Sequence, residues 1–369
     1  MRPRLTRIER YVLEITLLGV GLALAVIATI IMLIDFVELS RTLGVGAELS
    51  FSQTLRLTLL HAPSVILLLL PFAFLFGVLG AFVNLNRRSE LIAMRAAGVS
   101  AWRFIFPAAG AAMVIGLISV TLLNPLASAL NAHFERDVEV MRRGSAAAKG
   151  REVWLRQGDS HTQIVIRAHT EGLIGDTLTL NGVSLFVSTP SRDRKSIEFS
   201  RRIEAQQAKL MPGYWVLTGA REATPGSEAL RYDSLTLPST LDGHTALERF
   251  ASPKAVPFWG LWDAISRTEL AGFSATGYRL QLDELLATPL LLAAMSVLAA
   301  AFSLRLIRLG GLASLAGSGV ALGFVLFFFN QFCRALGEAG AIPPFAAAWT
   351  PPVLALLSGF TLLCYTEDG

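Results

Sequence analysis

Six apolar segments, each about as long as a helix that crosses a bilayer, constrain this chain more than any other feature. They are Tyr11–Ile34, about Leu59–Val83, about Trp102–Leu123, Leu285–Leu304, Leu309–Phe329 and Phe345–Tyr365. About 20 apolar residues are enough for a helix to cross a hydrocarbon core of roughly 30 Å. Only 16% of the 369 residues are charged, against about 25% in soluble domains. The sequence therefore excludes a soluble protein and predicts a helical membrane protein with six spans in a 3+3 arrangement.

The flanks of these segments indicate an orientation, because Lys and Arg accumulate in short cytoplasmic loops. Three flanks are rich in Arg, and six spans place all three on the same side. They contain Arg2, Arg4, Arg7 and Arg10; Arg87, Arg88, Arg95 and Arg103; and Arg305 and Arg308. We therefore expect both termini to be cytoplasmic. The long polar interval between the third and fourth segments then lies on the opposite side.

That polar interval is predicted to form a β domain inserted between two membrane halves. Short alternating runs are separated by turn signals such as Asn181-Gly182 and Pro212-Gly213, a pattern typical of an all-β sandwich or jelly roll. Helical tethers are expected at Ser128–Arg143 and Pro257–Leu270. The predicted domains are residues 1–130, 131–280 and 281–369. The predicted strands are Val153–Arg156, Gln163–Ala168, Leu178–Val187, Ser196–Phe199, Ile203–Lys209, Trp215–Leu217 and Ser234–Leu237.

A short amphipathic helix is predicted at about residues 88–98, between the second and third spans. Ser89 can cap its start, and Gly98 can end it in the left-handed conformation. Leu91 and Met94 fall on one helical face. Two interpretations remain open: an interfacial helix anchored by arginines, or a coupling helix that docks on a cytoplasmic ATPase. The chain has no Gly-Lys dipeptide and hence no phosphate-binding loop, so any energy from ATP must enter through another protein.

Polar and aromatic residues near the predicted outer ends of the spans form a second group of candidates. Such residues usually mark the water boundary, but they could instead form a polar rim that contacts the head group of an amphiphile. The phenylalanines of the fifth span could be plain packing or could line a cavity for acyl chains. The candidates are Asp35, Glu38, Arg41, His61, Arg334, Phe324, Phe327 and Phe328.

Other classes of function find little support. No run of five basic residues is present, which argues against nucleic-acid binding, and the five histidines lack the spacing of metal ligands. Cys333 and Cys364 form neither a metal motif nor a disulfide framework. Ser318 lies in a Gly-Ser-Gly stretch, but no histidine lies in that span or the one after it to act as a base. We expect no catalytic residue, metal or cofactor.

The chain resembles, over essentially its whole length, the LptF/LptG (YjgP/YjgQ) permeases of lipopolysaccharide-export ABC transporters. The first-span end and the Pro-Pro…Trp-x-Pro stretch look more like the LptG branch. The resemblance rests on the order of Ile34–Glu38, Arg88–Leu91, Ala97–Gly98, Tyr278–Pro289, Gly323–Phe324, Asn330–Gln331, Leu336–Gly337, Pro343–Pro344 and Trp349–Pro351.

The resemblance implies a bacterial inner-membrane subunit that pairs with an LptF-like sister permease. Its other implied partners are a cytoplasmic LptB-like ATPase dimer, a bitopic LptC-like protein and a periplasmic LptA-like bridge. The implied substrate is lipopolysaccharide, and the implied fold of the insert is a β-jelly roll. Glu90 would pair with a basic residue in the ATPase groove, which Leu91 and Met94 would fill. The coupling residues are Ser89, Glu90, Leu91, Met94, Arg95 and Gly98.

One departure from the family pattern affects the head-group site. The family's rim is often rich in Lys, whereas here Asp35 and Glu38 precede the single Arg41. Three alternatives also remain at this stage. They are an LptF-like subunit, a membrane-anchored periplasmic scaffold without transport activity, and an intramembrane hydrolase acting through Ser318.

Overall fold

The computed structural model describes residues 6–43, 50–143, 153–158, 163–168, 170–174, 177–190, 197–239, 256–270, 274–307 and 312–367. A five-residue π-helical segment, Ser119–Leu123, joins α4 to α5, and a 3-10 turn, Phe258–Gly260, precedes α6. The helices are α1 Arg7–Leu43, α2 Phe51–Arg87, α3 Glu90–Ala96, α4 Ala101–Ile118, α5 Asn124–Arg143, α6 Leu261–Leu270, α7 Thr276–Ile307, α8 Leu312–Glu338 and α9 Pro344–Glu367.

The prediction of a helical membrane protein with an inserted β domain is confirmed. Among the described residues, five helices are long and apolar enough to cross a bilayer, and they contain the predicted spans one to four and six. The fifth predicted span, residues 309–329, falls largely on α8; residues 308–311 lie outside the described ranges. Several helices extend past their apolar segments, because a helix keeps its backbone hydrogen bonds at the polar boundary.

Helices α2 and α7 form the centre of the bundle. In the most apolar stretch of each of these helices, 61% and 67% of the residues are buried, against 11% in the corresponding stretch of α1. Glycines permit the close approaches: a Cβ added to Gly77 of α2 would lie 2.4 Å from Cα of Val20 in α1. Gly116 of α4 meets Pro289 of α7 in the same way, at 2.5 Å from its Cα. Backbone contact of this kind replaces the hydrophobic effect as the packing force between helices in lipid.

The inserted domain is a seven-stranded antiparallel sheet. Its path runs β1-β2-β4-β5-β6-β7, and β3 pairs with the same strand as β2, namely β4. This is the order of a meander whose path ends at β1 and β7; among the described strands, β3 also has a single partner, β4. The strands are β1 Val153–Gly158, β2 Gln163–Ala168, β3 Thr170–Ile174, β4 Thr177–Pro190, β5 Ile197–Met211, β6 Tyr214–Ala223 and β7 Leu230–Pro238.

Residues of β2, β4, β5, β6 and β7 form one buried core. Trp215, Leu180 and Leu185 are fully buried, and on β6 the half-buried Val216 separates Trp215 from the buried Leu217. The register is regular between β5 and β6, whereas β4 and β5 shift between Val187 and Ser188. The inward and outward alternation fixes this register, because a slip by one residue would expose the whole apolar set.

The chain returns from the sheet to the bundle through a hydrogen-bonded junction. The indole Nε1–H of Trp259 donates to the carbonyl oxygen of Thr121 in the π segment at 3.1 Å. The backbone N–H of Phe258 donates to Oδ1 of Asn124 at 2.8 Å, and the amide of Gln281 donates to the carbonyl of Val256 at 3.3 Å. The return segment is therefore held against both α4–α5 and α7.

Candidate functional site

The first candidate site is the surface helix, which is α3 between α2 and α4. Gly98 adopts φ +80° after its last turn, as predicted for a left-handed helix end. The capping prediction for Ser89 is wrong. Ser89 occupies the N-cap position with φ +58°, and its side chain makes no capping hydrogen bond. This left-handed backbone turns the chain sharply from α2 into α3 and prevents the usual extended N-cap geometry.

The apolar side chains of the surface helix face the chain's own bundle. Leu91 is only 2% exposed and belongs to the same core cluster as Leu85, and Met94 packs against that cluster. The side chain of Leu91 is therefore already covered by this chain and is not presented on the outer side of the surface helix. Ile92, which sequence reasoning missed, is 59% exposed and points away. Arg95 is half-buried in the last turn, where a cation favours the helix dipole.

Glu90 is tied to the first helix of the bundle. The hydroxyl of Tyr11 in α1 donates a hydrogen bond to Oε2 of Glu90 at 2.8 Å. A second polar contact, between Nε of Arg103 in α4 and Oε1 of Glu9, spans 3.5 Å. The start of α1 is thus joined to both the surface helix and α4.

The second candidate site is the polar rim at the opposite end of the bundle. His61 of α2 and Asp35 of α1 form a pair, with Nδ1 3.0 Å from Oδ2. The imidazole also stacks on Phe134 of α5, with ring centroids 4.8 Å apart. Glu38 and Arg41 are exposed, and neither makes an ion pair with another residue in the described ranges.

Arg334 occupies a separate part of the rim. Its guanidinium lies 3.2 Å from Oε2 of Glu284 in α7 and 2.8 Å from Oε1 of Glu338, one turn further along α8. Sequence reasoning missed Glu284, which is distant in sequence from Arg334. The two carboxylates offset the charge of Arg334. Among the predicted rim residues, Arg41 is therefore more available than Arg334 to bind an anion.

The predicted aromatic residues of α8 divide into an outward and an inward set. Phe324 and Phe328 are exposed and stack on each other with centroids 6.2 Å apart. Phe327 contacts Phe328 and also Phe72 of α2, at 5.7 Å between centroids. The face formed by these residues is apolar and partly exposed, so it can accept an acyl chain without exposing a polar group.

The glycines of α8 pack closely against α2. A Cβ on Gly319 would lie 2.4 Å from Cδ2 of Leu79, and one on Gly323 would lie 3.0 Å from Cζ of Phe76. Small residues at these positions allow the two helices to approach each other. The side chain of Ser318, the candidate nucleophile of the hydrolase alternative, lies outside the described residues.

Comparison with known proteins gives one consistent result. Residues 10–365 match the family described as lipopolysaccharide export system permease LptF/LptG. The lipopolysaccharide export system permease protein LptG of Escherichia coli K12 is 22% identical over 365 residues, which are 96% of this chain and 97% of that protein. LptG of Haemophilus influenzae is 22% identical over 366 residues, with 98% and 99% covered. This match, extending through both helical halves and the sheet, shows that the chain belongs to the LptF/LptG family of lipopolysaccharide export system permeases.

Proposed function

We propose that this chain is the LptG-type membrane subunit of an ABC exporter. It extracts lipopolysaccharide from the inner membrane and passes it through the β domain towards a periplasmic bridge. The single observation that carries the proposal is the family match over residues 10–365, with LptG proteins as full-length relatives. Removing an acyl chain from a bilayer costs about 0.8 kcal/mol per CH₂ group, so the extraction needs an energy source.

The proposed orientation places both termini and the surface helix in the cytoplasm, with the β domain in the periplasm. Arg87 and Arg88 lie at the end of α2 that adjoins the surface helix, and Arg7 and Arg10 lie at the start of α1. This distribution supports the orientation through the preference of arginine for short cytoplasmic flanks.

The surface helix is proposed to couple the permease to an LptB-like ATPase dimer, which hydrolyses the ATP. Glu90 offers a carboxylate to a basic residue of the ATPase. Ile92 offers an exposed apolar side chain beside it, in place of the buried Leu91. Gly98 ends the helix and leads into α4, so force on α3 reaches the membrane bundle through a short connection.

The hydroxyl of Tyr11 is proposed to position Glu90 for that contact. We expect Tyr11→Phe to lower ATP-dependent export partially, by roughly several-fold, because the carboxylate loses a charge-assisted hydrogen bond. The assembled complex should be recovered in unchanged amounts. The measurement is lipopolysaccharide release per ATP hydrolysed in proteoliposomes. Tyr365→Phe, an exposed tyrosine in α9, is the matched control; equal activity of both variants would contradict the positioning role.

The polar rim is proposed to contact the head group as lipopolysaccharide leaves the membrane. Arg41 provides the cation for an anionic group, while Asp35, Glu38, His61 and Arg334 shape the surrounding surface. Phe324, Phe327 and Phe328 are proposed to contact acyl chains. The exposure of Arg41 and of the α8 aromatic face supports this assignment.

Arg41 can be tested separately from the rest of the rim. We expect Arg41→Gln to reduce crosslinking of lipopolysaccharide to a photoreactive residue placed at Phe324, because the head group loses the exposed cation of the polar rim. Arg267→Gln, a neutralisation in α6 with the same change of net charge, should leave crosslinking unchanged. If both substitutions reduced crosslinking equally, the effect would be one of overall charge.

The β domain is proposed to receive the lipid at the edge of its sheet. Strands β1 and β7 end the path of the sheet, so their unpaired backbone groups can pair with the edge of another sheet. An LptC-like partner and an LptA-like bridge would extend the sheet in this way.

Affinity purification of the detergent-solubilised protein from its native membranes tests the proposed assembly. We expect a small ATPase and a second six-span permease of the LptF type to be recovered with it. A sister chain of the LptG type would assign this chain to the LptF role instead. Recovery of the chain alone, or only with periplasmic proteins, would support a scaffold and contradict the exporter.

A further inference from the structure

We propose that Trp259 and Trp262 form a membrane anchor, which seats the return segment of the β domain in the boundary layer of the bilayer. The partner of this surface is the lipid at the junction of head groups and acyl chains. The proposal rests on the membrane placement of the helices and is independent of the transported substrate.

The two indoles are exposed although they belong to a tightly packed cluster. Trp259 is 63% exposed and Trp262 is 46% exposed, whereas Phe258, which contacts both, is buried. The ring of Phe258 meets each indole edge-on, with centroids 5.0 Å and 4.9 Å away. The cluster therefore holds two large aromatic rings outward in a fixed arrangement instead of folding them into the core.

The cluster lies at the depth where the apolar surface of α4 ends. Exposed apolar side chains lie at helical spacing along α4, the π segment and the first turn of α5. Beyond them, the surface of α5 is half-buried or polar. Trp259 is fixed at this level by its hydrogen bond to the carbonyl of Thr121. The exposed residues of this stretch include Val114, Leu117, Ile118, Leu122 and Leu126. The indoles are thus continuous with the surface that contacts lipid.

Helix α6 has a buried side, a side that carries Trp262 and a charged side, which is the arrangement that an anchor at the membrane boundary requires. Leu261 is fully buried against the chain, and Trp262 lies beside that buried face. Asp263 and Arg267, an exposed ion pair at 2.7 Å, lie on a further side, where they can remain in water. Tryptophan is enriched at membrane boundaries because its ring is apolar and its N–H remains able to donate. In Trp259 that donor is already satisfied by the protein, so its ring can enter the apolar layer without an unpaired polar group.

The test measures quenching of tryptophan fluorescence by lipids brominated near the head group, with the full chain in lipid nanodiscs. The difference in fluorescence intensity between the unsubstituted chain and Trp262→Phe gives the share of the emission that comes from Trp262. We expect brominated lipid to quench most of that share, and acrylamide in the water to quench little of it. Trp215→Phe is the matched control. Trp215 is fully buried in the sheet, so brominated lipid should not quench its share of the emission.

Two outcomes would overturn the proposal. If bromine spared the Trp262 share while acrylamide quenched it, the indole would face water. If neither quencher reached it, another protein surface would cover it. The same comparison with Trp259→Phe measures the second indole independently. This substitution keeps an aromatic ring and removes the N–H that donates to Thr121.

Discussion

Glu90→Arg should abolish export and detach the ATPase from the permease. The substitution replaces the carboxylate proposed to meet a basic residue with a cation, and it also breaks the hydrogen bond from Tyr11. Truncating one partner of a close interfacial charge pair costs about 2–5 kcal/mol, so a reversal should weaken association by at least about thirtyfold. The measurement is the amount of ATPase that co-purifies with the tagged permease.

Two variants control this experiment. Glu90→Gln keeps an oxygen that can accept from Tyr11 but removes the charge, so it should retain part of the association. Glu228→Arg makes the same charge reversal in the exposed turn between β6 and β7 and should have no effect. Normal ATPase recovery and export with Glu90→Arg would contradict the coupling role of the surface helix.

Gly77→Ala should destabilise the helical bundle through the contact between α1 and α2. A methyl group at Gly77 would lie 2.4 Å from Cα and 2.6 Å from N of Val20, atoms that cannot move without shifting the whole helix. Overpacking of this kind costs about 1–3 kcal/mol, which exceeds the roughly 0.5–1 kcal/mol that alanine contributes to helix formation. The expected result is a lower unfolding temperature in lipid nanodiscs.

The same two helices contain the controls. Gly80 of α2 and Gly21 of α1 have no heavy atom within 4 Å of an added Cβ, apart from their own neighbours. Gly80→Ala and Gly21→Ala should therefore leave the unfolding temperature unchanged or raise it slightly. Gly19→Ala, whose Cβ would meet the carbonyl of Gly77 at 2.6 Å, should resemble Gly77→Ala. Similar effects at all four positions would show that the contact between α1 and α2 is not the cause.

The sequence predicted the spans well because hydropathy over about 20 residues is a strong signal in a membrane protein. It predicted the strands less well. The run Ile203–Lys209 and residues 197–199 of the run before it belong to one long strand, β5, since the pairing with β4 continues past a register shift between Val187 and Ser188. Strand β3, Thr170–Ile174, was missed because its short mixed sequence pairs only through its neighbour β4.

The surface helix illustrates what a sequence pattern cannot decide. Helical spacing correctly grouped Leu91 and Met94 on one face, but the same spacing fits a face turned to the bundle or to a partner. The structure turns both inward and leaves Ile92 outward. The contact between Tyr11 and Glu90 joins residues far apart in the chain, and no local pattern predicts it. The pairs Asp35–His61 and Arg334–Glu284 likewise depend on how separate helices assemble.

The most direct test of the account is ATP-dependent movement of lipopolysaccharide out of a bilayer. The purified permease, its sister chain and the ATPase would be reconstituted in liposomes that contain lipopolysaccharide, and a photoreactive residue in the sheet would report its arrival. We predict crosslinking to the β domain that requires ATP and disappears in the complex containing Glu90→Arg. Crosslinking that is absent with ATP, or equally strong without it, would contradict the proposed export function.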